Sequence, residues 1–184
     1  MLLAGRTVFL ALAVVLTGVV LATAGQLPAI VASHFDWHGN PNGWSSRSAY
    51  VILILAIGIL LPLGTVGLVH GVSRSGPGRL NIPAREYWTR PEHGAEAVRR
   101  VRAYIWWLGA ILASTALTIH VTVLAANAAD PSRLSTGRFL LVFGMVLLGI
   151  VAWAVGWYRL LRKPEETKRP AGAMAPPGRK SKQN

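Results

Sequence analysis

The chain has 184 residues, of which 52% are hydrophobic and only 14% charged; soluble domains carry about 25% charged residues. Its mean hydropathy of +0.42 excludes a wholly disordered chain, and the composition argues against an ordinary soluble enzyme. Yet 19 Lys and Arg oppose 7 Asp and Glu, leaving a net charge of +12, a pairing that suits a membrane protein with its basic residues on one side.

Four apolar runs organise the chain. They span about Thr7 to Gln26, Ala49 to Val72, Ala103 to Asn127 and Phe139 to Leu161. A bilayer core about 30 Å thick needs roughly 20 apolar residues in a helix. Each run meets that length and is too long for a strand. A helix also satisfies its backbone hydrogen bonds within one segment, as lipid requires. The expected fold class is therefore all-α, an integral membrane protein with four transmembrane helices over residues 1–163. The first run has a second reading. Arg6, an apolar stretch and Ala22-Thr23-Ala24 resemble a secretory signal, and cleavage after residue 24 would leave three spans in the same orientation. The thin basic region and the long run favour a retained helix.

The first loop, Gln26 to Arg47, is the most distinctive segment. Leu27 to Trp37 has strand-like content, and Gly39-Asn40-Pro41-Asn42-Gly43 is dense in turn chemistry. An extended segment, a tight turn and then the second helix are expected. If extended, His34, Asp36 and His38 share one face. Two imidazoles and a carboxylate are candidate ligands for zinc or another divalent metal. The plainer reading has Asp36 and His34 bonding the turn backbone while Phe35 and Trp37 pack on the helix ends. The histidines would also titrate with outside pH. Trp44, Arg47 and the intramembrane His120 complete the set of candidate binding residues.

In the second run Pro62 predicts a kink. Gly67 and Gly71 form a small-xxx-small pair expected to pack against another helix. The second loop contains Asn81-Ile82-Pro83 and Tyr87-Trp88, with the two aromatics expected at headgroup level. From Pro91 a short connector helix is expected. Glu92 and Glu96 suit its start, Arg99, Arg100 and Arg102 its end, and Glu96 and Arg100 lie at i,i+4. A docking site for a cytoplasmic partner is the sharper alternative. In the third run Ser114, Thr118 and Thr122 form a hydroxyl stripe near His120, which reads as helix glue. Trp44 and Tyr50 mark one membrane interface. Tyr104, Trp106, Trp107, Trp153, Trp157 and Tyr158 mark the other. Residues 164–184 are rich in Pro, Gly, Lys and Arg and are expected to be a disordered basic tail.

Charge sets the orientation. Arg6, the seven arginines from Arg74 to Arg102 and the eight basic residues from Arg159 onward account for 16 of the 19. Arg47, Arg133 and Arg138 fall in the other two loops. The basic excess marks the cytoplasm, so both termini and the second loop are expected inside. A nucleic-acid partner, which the pI near 11.4 would otherwise suggest, needs its basic residues on one soluble face. Here long apolar runs separate them. With no cysteine, disulfides, thiolate metal sites and cysteine nucleophiles are excluded. No phosphate-binding loop, dinucleotide fingerprint, His-Glu-x-x-His or Gly-x-Ser-x-Gly occurs. The expectation is a non-enzymatic protein without a cofactor.

Leu27-Pro28, His34-Phe35, Gly39, Pro41, Gly43-Trp44 and Arg47, set between two apolar helices, resemble a bacterial membrane domain, the domain of unknown function numbered 1648, over roughly residues 10 to 65. The domain is also found in Sdp-type immunity proteins. Family members often carry an acid where this chain has Asn42 and Lys where it has Arg47. Asn81-x-Pro83, Tyr87-Trp88 and Pro91-Glu92 look like an element that often follows the domain. The resemblance implies a multi-pass protein of the bacterial plasma membrane. It implies sensing, binding or an immunity-type role through the outer loop, toward an extracytoplasmic peptide or envelope ligand. Lipid and a cytoplasmic or membrane protein are further expected partners. A small transporter or transporter accessory subunit is the alternative, with His120 and the hydroxyl stripe facing a water-filled path.

Overall fold

The computed structural model describes residues 4–129 and 131–163; the expected basic tail, residues 164–184, lies outside the described residues. Four helical stretches are long and apolar enough to cross a membrane: Ala4–Gln26, Arg47–Ser75, Gly94–Asn127 and Thr136–Leu161. The first comprises α1 (Ala4–Thr23) and a closing 3-10 turn. The second is α2 (Arg47–Leu55) and α3 (Leu61–Val72), joined by a π turn at Ala56–Leu60. After the short α4 (Arg85–Trp88) come α5 (Gly94–Asn127) and α6 (Thr136–Leu161).

The first loop is more ordered than an extended segment and a turn. It forms an antiparallel hairpin of β1 (Ile30–Phe35) and β2 (Pro41–Ser46). Val31 faces Ser45, Ala32 faces Trp44 and Phe35 faces Pro41, with irregular register around His34. Pro41, Asn42 and Gly43, expected in the turn, thus belong to a strand. The turn itself is Asp36 to Asn40. The Gly39 N–H donates to the Asp36 carbonyl at 2.9 Å and the Asp36 N–H to the Asn40 carbonyl at 2.8 Å. Gly39 has φ +83°, the left-handed region open to glycine. The Ser46 hydroxyl then caps α2 by accepting the Ala49 N–H at 3.2 Å.

Pro62 is accommodated differently from a simple kink. It has no N–H to bond four residues back. The turn before it widens instead, and the Leu61 N–H reaches the Ala56 carbonyl, five residues back. Pro62 itself is buried against α5, where a Cβ on Gly109 would lie 3.5 Å from it.

Helix α5 is the centre of the bundle and packs against α1, α3 and α6. It has 34 residues, about 50 Å at 1.5 Å per residue, well beyond the hydrocarbon thickness. The expected connector from Pro91 is therefore no separate helix. Its charged turns, Gly94 to Arg102, are the first turns of α5 itself. The face of α5 turned inward carries Gly109, Ala110, Ala113 and Ala116, all buried. Small side chains let the neighbours come close. A Cβ on Gly109 would lie 3.2 Å from Phe9 of α1, and one on Gly58 would lie 2.8 Å from Ala116 and press into Leu16. Gly149 and Gly156 of α6 likewise meet Ile111 and Tyr104 of α5. Gly67 and Gly71 do not behave so; no atom lies within 4 Å of a Cβ built on either.

At one end the chain gathers α1's start, α4 and α6's end. The buried Trp88, 2% exposed, donates its indole N–H to the Leu161 carbonyl at 2.5 Å. Arg100 donates to the Leu160 carbonyl at 2.9 Å and stands over the Trp88 ring at 5.1 Å. Together they satisfy carbonyls that a helix end leaves open, with positive charge at the favourable pole. Trp88 is thus a core residue and no headgroup anchor. The Arg100–Glu96 pair forms as its spacing predicted, at 2.6 Å, and Arg99 also pairs with Glu96.

Gly58→Leu is expected to destabilise the bundle by about 1–3 kcal/mol through overpacking. Gly67→Leu, facing open space, is expected to change little. Thermal unfolding of the two variants in detergent, followed by circular dichroism, checks the contrast.

Candidate functional site at the hairpin end

The end opposite the arginine cluster is built in two tiers. The upper tier is the hairpin, tied to the bundle at three places. Asn127, at the end of α5, accepts the Ala32 N–H through Oδ1 and donates to the Ala32 carbonyl through Nδ2, both at 2.9 Å. The amide therefore takes both outward backbone groups of Ala32, as a third strand would. The Leu134 N–H, in the link to α6, donates to the Gly39 carbonyl at 2.9 Å. The Arg47 N–H donates to the Ala29 carbonyl at 3.0 Å. Leu27 and Val31 then bury beneath the hairpin with Leu16, Val20, Ile54 and Val123.

The lower tier is a polar chain inside the bundle. His120 is fully buried, with 0% exposure. Its Nε2 lies 2.8 Å from Thr23 Oγ1 and its Nδ1 3.3 Å from the Tyr50 hydroxyl. The Thr23 hydroxyl already donates to the Val19 carbonyl at 2.7 Å, so toward His120 it accepts. That places the imidazole proton on Nε2 and leaves Nδ1 to accept from Tyr50. Tyr50 to His120 to Thr23 to Val19 is then one directed chain with every member satisfied. It joins α1, α2 and α5. Tyr50 was expected as an interface anchor; it is buried at 4% exposure because its hydroxyl has this partner within the protein.

Each candidate binding residue can now be placed. His34 is exposed on β1 opposite Gly43, with Nδ1 3.2 Å from the Ser33 hydroxyl. β1 ends at Phe35, so the shared extended face stops before Asp36. The Asp36 carboxylate turns back and accepts the His38 N–H at 2.9 Å and the Asn40 N–H at 2.8 Å. His38 lies on the turn with its ring against Trp37, centroids 3.7 Å apart. The three residues do not converge, and among the described residues no group of three such side chains is placed to hold a metal ion. Trp44 stands exposed opposite Ala32. Arg47 opens α2, with its Nε buried and without a hydrogen-bond partner among the described residues. His120 belongs to the lower tier and is separate from the others.

The hydroxyl stripe bonds its own helix. Ser114 donates to the Ile111 carbonyl, Thr118 to Ser114 and Thr122 to Thr118, at 2.7–2.9 Å. Ser114 and Thr118 border a gap of only about 70 Å³ against α6. Thr23, Tyr50 and Asn127 were missed by sequence reasoning. One signal pointed to Asn127: with Ala116, His120 and Val123 it falls on a single α5 face at helical spacing.

The Asp36 carboxyl is held below its ordinary 3.8, first by the Asn40 backbone N–H and then by the Asn40 side chain, the His38 N–H and the His38 charge, against a smaller opposing desolvation. A lowered folded-state value means that the turn's stabilisation is present above 3.8 and is lost as pH falls through the depressed value. Protection of the His38 and Asn40 amides, measured as exchange relative to the intrinsic rate at each pH, is expected to fall there, and Asp36→Ala is expected to abolish that fall. For the lower tier, His120→Phe leaves the Tyr50 hydroxyl buried without its acceptor and is expected to cost about 1–3 kcal/mol. Nitrogen NMR of labelled wild-type protein is expected to report the Nε2–H tautomer; an Nδ1–H signal would contradict the directed chain.

No curated protein and no solved structure matches the chain. One family model does, described as Domain of unknown function (DUF1648), and it matches residues 10–60. That stretch runs from within α1, through the hairpin, to the π turn of the second span, close to the limits of the resemblance carried by Leu27 to Arg47. Residues 10–60 thus match the domain of unknown function 1648 within a chain that has four helices long and apolar enough to cross a membrane, and the hairpin is the non-helical part of the matched stretch.

Proposed function

We propose that this is a non-enzymatic protein of a bacterial plasma membrane, with both termini in the cytoplasm, that recognises an extracytoplasmic peptide or envelope component through its hairpin. The observation that carries this reading is the exposure of Trp37 and Trp44, at 77% and 60%, on a hairpin fixed to the bundle by Asn127, Leu134 and Arg47. Fixed aromatic side chains give contact area at little entropic cost, and Trp is enriched among residues that dominate binding. Ile30, exposed at the start of β1 opposite Ser46, adds apolar surface at the hairpin's base, while His34 and Asp36 supply polar contacts nearer its turn. The positive-inside bias supports the orientation. The resemblance to the domain found in Sdp-type immunity proteins supports an immunity-type outcome, protection against a membrane-active peptide.

Cells lacking the protein, complemented with wild type, Trp37→Ala, Trp44→Ala or His34→Ala, provide the test. Wild type is expected to raise the inhibitory dose of a cationic membrane-active peptide several-fold. The two tryptophan variants are expected to lose that protection while inserting in equal amount. The chain has no cysteine, so Asn42→Cys and Arg90→Cys report the sidedness directly. An impermeant maleimide is expected to label Asn42→Cys in intact cells and Arg90→Cys only after lysis. Equal protection by all variants would sink the recognition reading, and reversed labelling would sink the orientation.

A further inference from the structure

The arginine-rich end holds a cleft, of about 480 Å³, between α1 and the first turns of α5. Three guanidinium groups line it: Arg6 from α1, and Arg99 and Arg102 from α5. Its apolar floor includes Val98, Ala103 and Trp106. No carboxylate is among the lining residues.

The three arginines are not equivalent. Arg102 is anchored, with Nε donating to Ser73 Oγ at 2.7 Å and Nη2 to the His70 carbonyl at 3.3 Å. A guanidinium has five N–H donors, so part of its fork remains for a ligand. Arg99 pairs with Glu96, which lines a separate cavity between α5 and α6 together with Arg100. Arg6 is exposed, and among the described residues its recorded partner is the Trp106 ring, 5.9 Å from the guanidinium carbon. The cleft thus presents more positive charge than its neighbours neutralise.

Depth identifies the occupant. Arg6 stands immediately before the first uncharged run, and Ala103 opens the apolar part of α5. The arginines therefore sit where headgroups lie, with Val98 at their level, and Ala103 and Trp106 continue toward the acyl region. Clefts between membrane helices that place basic side chains at this level suit anionic headgroups, and guanidinium groups match phosphate geometry through paired N–H donors. We propose that this cleft binds one anionic phospholipid, its headgroup phosphate among Arg6, Arg99 and Arg102 and its glycerol and upper chain against Ala103 and Trp106. A free phosphate would use the same three arginines and leave the apolar floor unused.

Native mass spectrometry of the full chain in detergent, titrated with phosphatidylglycerol or phosphatidylcholine, tests this. One phosphatidylglycerol is expected to bind per chain, at least tenfold more tightly than phosphatidylcholine. Arg6→Gln is expected to weaken it about fivefold and Arg6→Gln with Arg99→Gln roughly twentyfold. Arg74→Gln, an exposed arginine at the same end outside the cleft, is expected to leave it unchanged. Circular dichroism melts verify that all variants are folded. Three results would overturn the proposal: equal affinity for the two lipids, equal weakening by Arg74→Gln, or displacement of the lipid by millimolar inorganic phosphate, which would mark a free-anion site. Arg102 is left intact because its bonds to Ser73 and His70 hold the second span to α5.

Discussion

In lipid, apolar side chains gain nothing by leaving the solvent, so helices associate through close packing and through polar groups that find partners. The bundle meets that constraint almost entirely through one face of α5. Gly109, Ala113 and Ala116 admit Phe9, Pro62, Leu16 and Gly58. Further along the same helix, His120 joins α1 and α2 by hydrogen bonds, and Asn127 joins the hairpin. Close approach at the middle of the membrane thus sets the spacing that the polar chain requires. Thr23 and Tyr50 could not both reach His120 if Leu16 and Gly58 were held apart. The large side chains of the same helices, such as Val14, Ile52, Leu60 and Leu148, point outward, the reverse of a soluble core and the natural arrangement when the surroundings are apolar.

The hairpin depends on this arrangement. Two strands alone are marginally stable in water, and an open strand edge invites unwanted pairing. Asn127 covers the edge of β1 with a side chain, and the Leu134 backbone holds the turn at Gly39. A Cβ at position 39 would strike the Leu134 carbonyl, so glycine there serves both the left-handed turn and the approach of the third loop. The first and third loops are therefore one structural unit, although 95 residues separate Ala32 from Asn127.

The four spans, the segregation of arginines and the Glu96–Arg100 pair were legible in the sequence because each depends on local composition or helical spacing. The hairpin was half legible. Turn residues at Gly39 to Gly43 announced a reversal, but β2 has a polar, Gly- and Ser-containing sequence without strand character. Its pairing comes from β1 and from the anchors on α5. The burial of Trp88 and Tyr50 was not legible. An aromatic residue at the end of an apolar run, such as Tyr50, or in a basic loop between runs, such as Trp88, looks like an interface anchor, and only a partner far along the chain, His120 or Leu161, draws it inside. For the same reason His34, Asp36 and His38 looked like a set. Alternation along a strand is a local rule, and the Asp36 carboxylate leaves the pattern by capping its own turn.

The positive charge that marked the chain from composition has more than one physical role. Arg100 and Arg102 are internal fasteners, the first closing the end of α6 with Trp88, the second holding Ser73 and His70 to α5. A guanidinium suits this position because it spans two helices with several donors while its charge keeps contact with the headgroup region. Arg6 fastens nothing comparable, since its recorded partner is an aromatic face. Positional bias alone would treat these residues as interchangeable markers of one membrane side. Their partners divide them into arginines that tie α6 and the second span to α5, and Arg6, which lies over the Trp106 ring.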